Sequence, residues 1–263
     1  MLADTHAPLL AVDRTGPIAT LTLNRPASRN ALSLAMLDAL IAATDELGAD
    51  QAVRVVVLAG AGPAFCAGHD LKEIRANPDP EFRRTLFHRC ADAMLALTRL
   101  PQPVIARVHG MATAAGCQLV ATADLAVAST VARFATPGVS IGLFCSTPMV
   151  ALTRAIGPRA AAEMLYTGAA IDAETARAVG LVNRVVAESA LDDAVATLAQ
   201  SIASRSRLTL ALGKRAYWHQ RDLPLEAAYR YAADQMAENL QSCDAGEGID
   251  AFLTRRDPVW QDR

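Results

Sequence analysis

The sequence lacks the features that mark a metalloprotein, a disulfide scaffold, a membrane protein or a polyanion binder. Its five histidines (His6, His69, His88, His109 and His219) are scattered and form no His-x-x-x-His pair, which argues against a metal site. Five cysteines, an odd count without ligand-type spacing, suit a reducing compartment better than a disulfide framework. A formal net charge of −2 argues against nucleic-acid binding driven by electrostatics. No apolar run reaches the length that crosses a bilayer, so no membrane partner is expected. The opening Met1-Leu2-Ala3-Asp4-Thr5-His6 has no charged-then-apolar leader plan. Together with the cysteine usage, this sets the expectation of a cytoplasmic protein. No internal repeat is visible. What is there is 263 residues, 52% of them hydrophobic, enough to bury a substantial core as one domain with an appended piece.

Two stretches organise the chain. In the first, the β-branched run Val104-Ile105-Ala106-Arg107-Val108 leads through His109-Gly110-Met111-Ala112-Thr113-Ala114-Ala115 into a small-residue helix that closes at Asp124. A strand, a turn of small residues and a helix aim free backbone N–H groups at a ligand. The first helical turn has no intrahelical acceptors for its N–H groups, and its dipole favours negative charge. A small-residue turn packed tightly on a sheet has the same pattern. The second stretch, Ala64-Phe65-Cys66-Ala67-Gly68-His69-Asp70-Leu71-Lys72-Glu73, follows the strand Arg54-Val55-Val56-Val57-Leu58. Asp70 with Glu73 three residues later reads as a capping box, which places His69 just before a helix. Two such units, each offering an N–H, are the parts of an oxyanion hole.

Around them the chain reads as alternating strands and helices. Leu9–Val12 and Ile18–Leu23 form a hairpin about Asp13–Pro17, and Ser33 caps a helix with Met36, Leu37, Leu40 and Ile41 at helical spacing. A helix over 81–100 ends before Pro101 and Pro103. Short strands fall at Leu125–Ala128 and, as an edge, at Phe134–Pro137. Beyond Ser189 the pattern is helical to the end.

These same residues carry a resemblance. Phe65-Cys66-Ala67-Gly68-His69-Asp70-Leu71-Lys72-Glu73, with Pro103-Val104-Ile105-Ala106 and Gly116-Cys117-Gln118-Leu119, resembles the crotonase superfamily, the enoyl-CoA hydratase/isomerase fold. Asn24-Arg25-Pro26, Asn30-Ala31-Leu32, Phe134-Ala135-Thr136-Pro137, Leu165-Tyr166-Thr167-Gly168 and Ala178-Val179-Gly180-Leu181-Val182 extend the likeness, in order, over nearly the whole chain. The phrases Ala112–Val120 and Gly142–Pro148 are similar to the branch of the enoyl-CoA hydratase domain-containing protein 3 type. The resemblance implies an α/β fold, a crotonase (ClpP-like) spiral of ββα units over 1–203. A helical trimerisation region over 204–263 would follow, giving a homotrimer or homohexamer. It implies an acyl-CoA thioester as the small-molecule partner, with coenzyme A entering as part of the substrate and no other cofactor or metal. The implied substrate-binding positions are Ser28, Arg29, Ala67, Gly68, His69, Asp70, Leu71, Met111, Ala115 and Gly116. The N–H groups of His69 and Ala115 would form the oxyanion hole.

The acid–base equipment of the family departs from this pattern. Hydratases of the family use two carboxylates, and those positions fall on Gln118 and Gly138; a third, used in related isomerases and dehalogenases, falls on Ser146. An amide is not basic and glycine has no side chain, so ordinary hydration is expected to be weak or absent. Gln118 either holds a water or thioester group or is a satisfied buried amide. Cys145, where decarboxylase relatives carry a tyrosine, is a weak acid or nucleophile, or a small packing residue. Ser146 either donates to a substrate carboxylate or caps a helix starting at Thr147. The His69 ring either points away from the site or acts as an acid or anion binder. Lys214 either meets CoA phosphates or sits on a solvated face. Acyl-CoA decarboxylation, thioester hydrolysis and non-catalytic binding stand as alternatives to hydratase or isomerase chemistry. Gln118→Glu combined with Gly138→Glu is expected to raise hydration.

Overall fold

The computed structural model describes residues 7–263 and is built around two sheets. The larger has six strands in the order β1 (Leu10–Thr15), β2 (Ile18–Leu23), β3 (Val55–Gly60), β5 (Val104–Val108), β7 (Leu125–Ser129), β10 (Arg184–Val186). The smaller has the order β4 (Ala64–Cys66), β6 (Met111–Thr113), β8 (Arg133–Ala135), β9 (Ile171–Asp172). Consecutive strands alternate between the sheets: β3 then β4, β5 then β6, β7 then β8. Each pair is one turn of a spiral, and helices return the chain to the next. Except for the antiparallel β1–β2 and β8–β9 pairs, neighbours run parallel. This is the expected α/β ββα spiral.

The central strands are buried on both faces, which is why β3 reads Val-Val-Val-Leu-Ala-Gly without polar alternation. Val56 and Leu58 point into the main core with Met36, Leu37 and Leu40 of α1 (Leu34–Ala49) and Leu86, Cys90 and Leu97 of α3 (Pro80–Arg99). Val55 and Val57 point the other way, with Ile105 and Val127, onto Leu191, Val195 and Ala199 of α8 (Leu191–Ala203). Ser33 caps α1 by accepting from Met36 N, as its sequence suggested.

Several boundaries differ from the sequence reading. The first hairpin is tighter than expected, with Thr15 paired to Ile18 across Gly16-Pro17, because Gly16 takes φ +56 and lets the strands extend to the turn. β8 is not an edge; it lies between β6 and β9. Between β4 and α3 lies α2 (Leu71–Ala76), and between β6 and β7 lies α4 (Ala115–Thr122). After β8 come α5 (Ser146–Ala155), α6 (Pro158–Thr167) and α7 (Ala173–Ala178). The chain closes with α9 (Arg207–Gln220), α10 (Leu225–Asn239) and α11 (Cys243–Thr254). The last helix begins at Cys243, where Ser242 caps it by accepting from Ala245 N.

Candidate active site

The two strand–turn–helix units meet. In the first turn, Leu32 N donates to Gly68 O (2.8 Å) and Asp70 N donates to Leu32 O (3.1 Å), a parallel bridge of 25–33 with 67–70. Residues on either side of His69 are therefore spoken for, and the alternation of an extended chain turns the His69 N–H to the opposite side. In the second turn, Ala114 takes φ 50, ψ −117, a conformation that costs an L-residue about 1–3 kcal/mol. It is held there by Ala114 N donating to Ala135 O (2.9 Å). This sets Ala115 as the first residue of α4, with its N–H ahead of the helix's own acceptors. Among the described residues, neither the His69 nor the Ala115 N–H donates to a protein acceptor.

Glycine lets the two turns touch. Gly68 has φ +88, and a methyl group on it would lie 2.9 Å from the Ala114 methyl and 3.3 Å from Ala115 N. Gly116, one residue into α4, packs directly on the Cys66 carbonyl. Ala67, Gly68, His69, Asp70, Ala115 and Gly116 are thus one cluster. Ser28 and Arg29 join it, since Ala67 N donates to Arg29 O (3.0 Å). The Arg29 side chain is exposed and, among the described residues, forms no ion pair. Leu71 and Met111 present exposed apolar surface nearby in sequence, at 50% and 39% accessibility.

The first turn is braced by residues that the sequence reading underused. Asn30 is fully buried at φ 56; its Nδ2 lies 2.8 Å from both Ala61 O and Ala64 O and 3.1 Å from Phe65 O, and its Oδ1 accepts from Arg25 N (2.9 Å). Arg25 Nη2 reaches Asp70 Oδ2 at 3.1 Å. Asp70 caps α2 as expected, accepting from Lys72 N and Glu73 N, and burial opposes while these hydrogen bonds and Arg25 favour its ionised form, with a lowered pKa as the outcome. The capping box itself is corrected: Glu73 accepts from Leu34 N (3.1 Å), so it braces the start of α1 instead of its own helix. The local phrase Asn24-Arg25-Pro26…Asn30-Ala31-Leu32 was the only signal for this bracing.

The remaining candidates stand around the cluster. Gln118, one turn after Ala115 on the same face of α4, is 4% exposed, and its Oε1 accepts from Cys90 Sγ at 3.8 Å. Gly138 leaves no room for a side chain: a methyl there would drive into the Leu143 carbonyl and lie 2.9 Å from Cys145 Sγ. The expectation that Gly138→Glu helps restore hydration is corrected on this ground. Cys145 is buried, and burial raises its thiol pKa against a hydrogen bond from the Gly138 backbone; burial likewise pushes Cys117 up to about 12. Ser146 is exposed and is itself the first residue of α5, with its hydroxyl turned back to Phe144 O (3.5 Å), so it does not cap a helix starting at Thr147. The His69 ring packs edge-on against Phe87 (centroids 5.1 Å apart), and burial lowers its pKa to about 4, leaving it neutral near pH 7.

Lys214 has neither expected role. It is 7% exposed, and its Nζ lies 2.7 Å from Asp124 Oδ2 and 2.9 Å from the carbonyls of Leu97 and Gln102. Trp218 Nε1 and Val104 N also donate to Asp124. This network fastens α9 onto the core, and no sequence signal pointed to it.

A cleft of about 280 Å³ reaches Gln118 from the side of α3, α5 and α9, between Leu95, Ala121, Val150 and Trp218. α3 supplies Met94, Leu95 and Thr98 to its wall.

Comparison with known proteins agrees with this geometry. The model for "Enoyl-CoA hydratase/isomerase" matches residues 13–263. A rat protein named enoyl-CoA hydratase domain-containing protein 3, mitochondrial, is 44% identical over 243 residues, 92% of this chain and 81% of its own length. A crystal structure of an enoyl-CoA hydratase from Mycobacterium smegmatis superposes with a TM-score of 0.95 at 55% identity, covering 97% of this chain and 99% of that one. The human enoyl-CoA hydratase domain-containing protein 3 superposes at 0.93 and 42% identity, over 96% and 100%. The expectation of a cytoplasmic location is corrected by these names: the rat, mouse, Xenopus, human and zebrafish relatives are all called mitochondrial. All five cysteines are free thiols, which fits any reducing compartment and does not distinguish among them.

Proposed function

The chain belongs to the enoyl-CoA hydratase/isomerase family, and we propose that it binds acyl-CoA thioesters and stabilises their enolate in a backbone oxyanion hole. The observation that carries this is the packing of Gly68 on Ala114 and Ala115, which brings two N–H groups without protein acceptors to one place. Donors fixed before the reaction stabilise developing oxyanion charge without reorganising, an effect of about 3–4 kcal/mol per donor in other enzymes. Arg29, exposed and joined to Ala67 through its backbone carbonyl, suits the phosphates of coenzyme A; Ser28, Asp70, Leu71, Met111 and Gly116 frame the thioester arm. Gln118, Cys145 and Ser146 are the side chains offered to the acyl end. The helices of 204–263 suit assembly into a homotrimer or homohexamer, since α10 buries none of its residues in the monomer while Leu225, Tyr229 and Met236 are exposed.

Ordinary hydration should be slow or absent. Gln118 cannot accept a proton, Gly138 has no space for a carboxylate, the His69 ring faces Phe87, and the Cys145 thiol stays protonated. Proton transfer then falls to water or to a group other than a carboxylate.

The same observations favour a second reading, decarboxylation. Loss of carbon dioxide from a carboxylated acyl-CoA delivers the enolate electrons directly, so an oxyanion hole suffices and no base is needed. A panel of crotonyl-, malonyl-type and saturated acyl-CoA thioesters, assayed for turnover beside calorimetric binding, separates the readings. Rapid hydration of crotonyl-CoA refutes the loss of acid–base function, and release of carbon dioxide selects decarboxylation. Free coenzyme A selects thioester hydrolysis, and binding without turnover selects a non-catalytic role.

A further inference from the structure

From the Gln118 cleft and the polar cavity adjoining it, we infer that the acyl pocket is built for a chain ending in a carboxylate, held at its far end by Arg154 and Arg221. The inference rests on the acyl-CoA reading above and specifies its substrate class. Gln118, one helical turn after Ala115 on α4, lines the cleft together with Ala121, so the cleft opens one turn from the oxyanion position. At about 1.5 Å per residue, Ala121 lies roughly 9 Å from Ala115, the reach of a medium-length acyl chain. The first cleft is lined largely by apolar groups, including Leu95, Val150 and Ala151, and suits methylenes. It adjoins a second cavity of about 250 Å³, with which it shares Ala121, Arg154, Trp218 and Arg221. The second cavity is polar, and Asn183 and Tyr217 face it.

The charge at this end is only partly neutralised, since Asp222, which also lines the cleft, answers one of the two guanidinium groups. Arg221 stacks over the Tyr217 and Trp218 rings at 5.2 Å and donates to the Tyr217 hydroxyl (2.8 Å) and the Arg154 carbonyl, yet no carboxylate pairs with it among the described residues. Arg154 donates to Val150 O (3.2 Å) and, among carboxylates, reaches Asp222 at 3.7 Å, where both side chains are solvent-exposed. The other carboxylate in the cavities, Asp124, is fully engaged by Lys214, Trp218 and Val104 N. Two guanidinium groups at the end of an apolar cleft suit a terminal carboxylate, which can pair with them, whereas a methyl terminus offers them no partner.

Calorimetric titration of the full chain with suberyl-CoA and octanoyl-CoA, equal in length and different only at the terminus, tests this. The expected result is about tenfold tighter binding of suberyl-CoA, a preference that shrinks with added salt. It is expected to collapse in Arg154→Gln and in Arg221→Gln, with folding checked by circular dichroism. Equal affinities, or tighter octanoyl-CoA, overturn the inference and leave the acyl-CoA reading standing. A suberyl preference that survives both substitutions also overturns it, because the anion is then held elsewhere. If neither thioester binds, the acyl-CoA reading itself falls.

Discussion

Gly68 is seated against Ala115 so closely that a methyl group on it would stand 3.3 Å from the Ala115 nitrogen and 2.9 Å from the Ala114 methyl. Its φ of +88 is a second barrier to any other residue. Gly68→Ala is expected to destabilise the fold by about 1–3 kcal/mol and to part the two N–H groups. Affinity for acyl-CoA should fall at least tenfold, well beyond what the stability change explains in a protein that remains folded. Thermal unfolding and calorimetric binding on the same preparation check this.

The Lys214–Asp124 pair is buried, and removing one member leaves a charge without its counter-ion. Lys214→Met is expected to destabilise by about 3–5 kcal/mol, and Lys214→Met with Asp124→Asn by less than the single change. Urea denaturation of the three proteins gives the comparison. An effect below about 1 kcal/mol would place the pair in the class of surface ion pairs.

Acid should act through His69. Its folded pKa of about 4 lies below the ordinary 6.5, so between those values the unfolded chain binds a proton that the folded chain refuses. The stability linked to this group is complete above about 6.5, falls as pH drops through the window, and levels below about 4, a loss on the order of 3 kcal/mol. His69→Gln, neutral at every pH, should lose that much less stability over the same range. Denaturation at a series of pH values measures the difference, and NMR titration of the ring measures the pKa itself.

Restoring carboxylates should not succeed in pairs. Gly138→Glu forces a side chain into the Leu143 carbonyl and Cys145 Sγ and should unfold the segment from Pro137 to Ser146, at a cost of about 3 kcal/mol or more. Gln118→Glu fits the existing volume, and burial should raise the pKa of the new carboxyl group. Crotonyl-CoA hydration by Gln118→Glu is expected to exceed that of the native chain by no more than about tenfold, since one base without its partner supplies a fraction of the acid–base effect.

What could be read from the sequence was what a few adjacent residues decide. The turn at Ala67–Asp70 and the one at Ala114–Gly116 each declare themselves in small residues after an apolar strand, the first also in its Asp70 cap, and both lie where expected. The positions where the family resemblance implies carboxylates read directly as Gln118 and Gly138. The filling of the Gly138 space was not legible, because the Leu143 carbonyl arrives from a loop whose path no local pattern fixes. Lys214 looked like any surface cation, since its partners Leu97 and Gln102 lie more than a hundred residues away. Arg154 and Arg221 meet across 67 residues, on helices with ordinary amphipathic patterns, so the charged end of the cleft had no signature at all. Glu73 shows the subtler failure, in which a correct local motif is outbid by the start of a neighbouring helix at Leu34.

The most direct measurement is a crystal structure of the protein with a non-hydrolysable acyl-CoA analogue that keeps its carbonyl oxygen. That oxygen is expected at about 3 Å from both His69 N and Ala115 N, with the acyl chain running along α4 past Gln118. A carbonyl bound away from these two nitrogens, or either N–H found donating to an acceptor of the protein itself, would contradict the account.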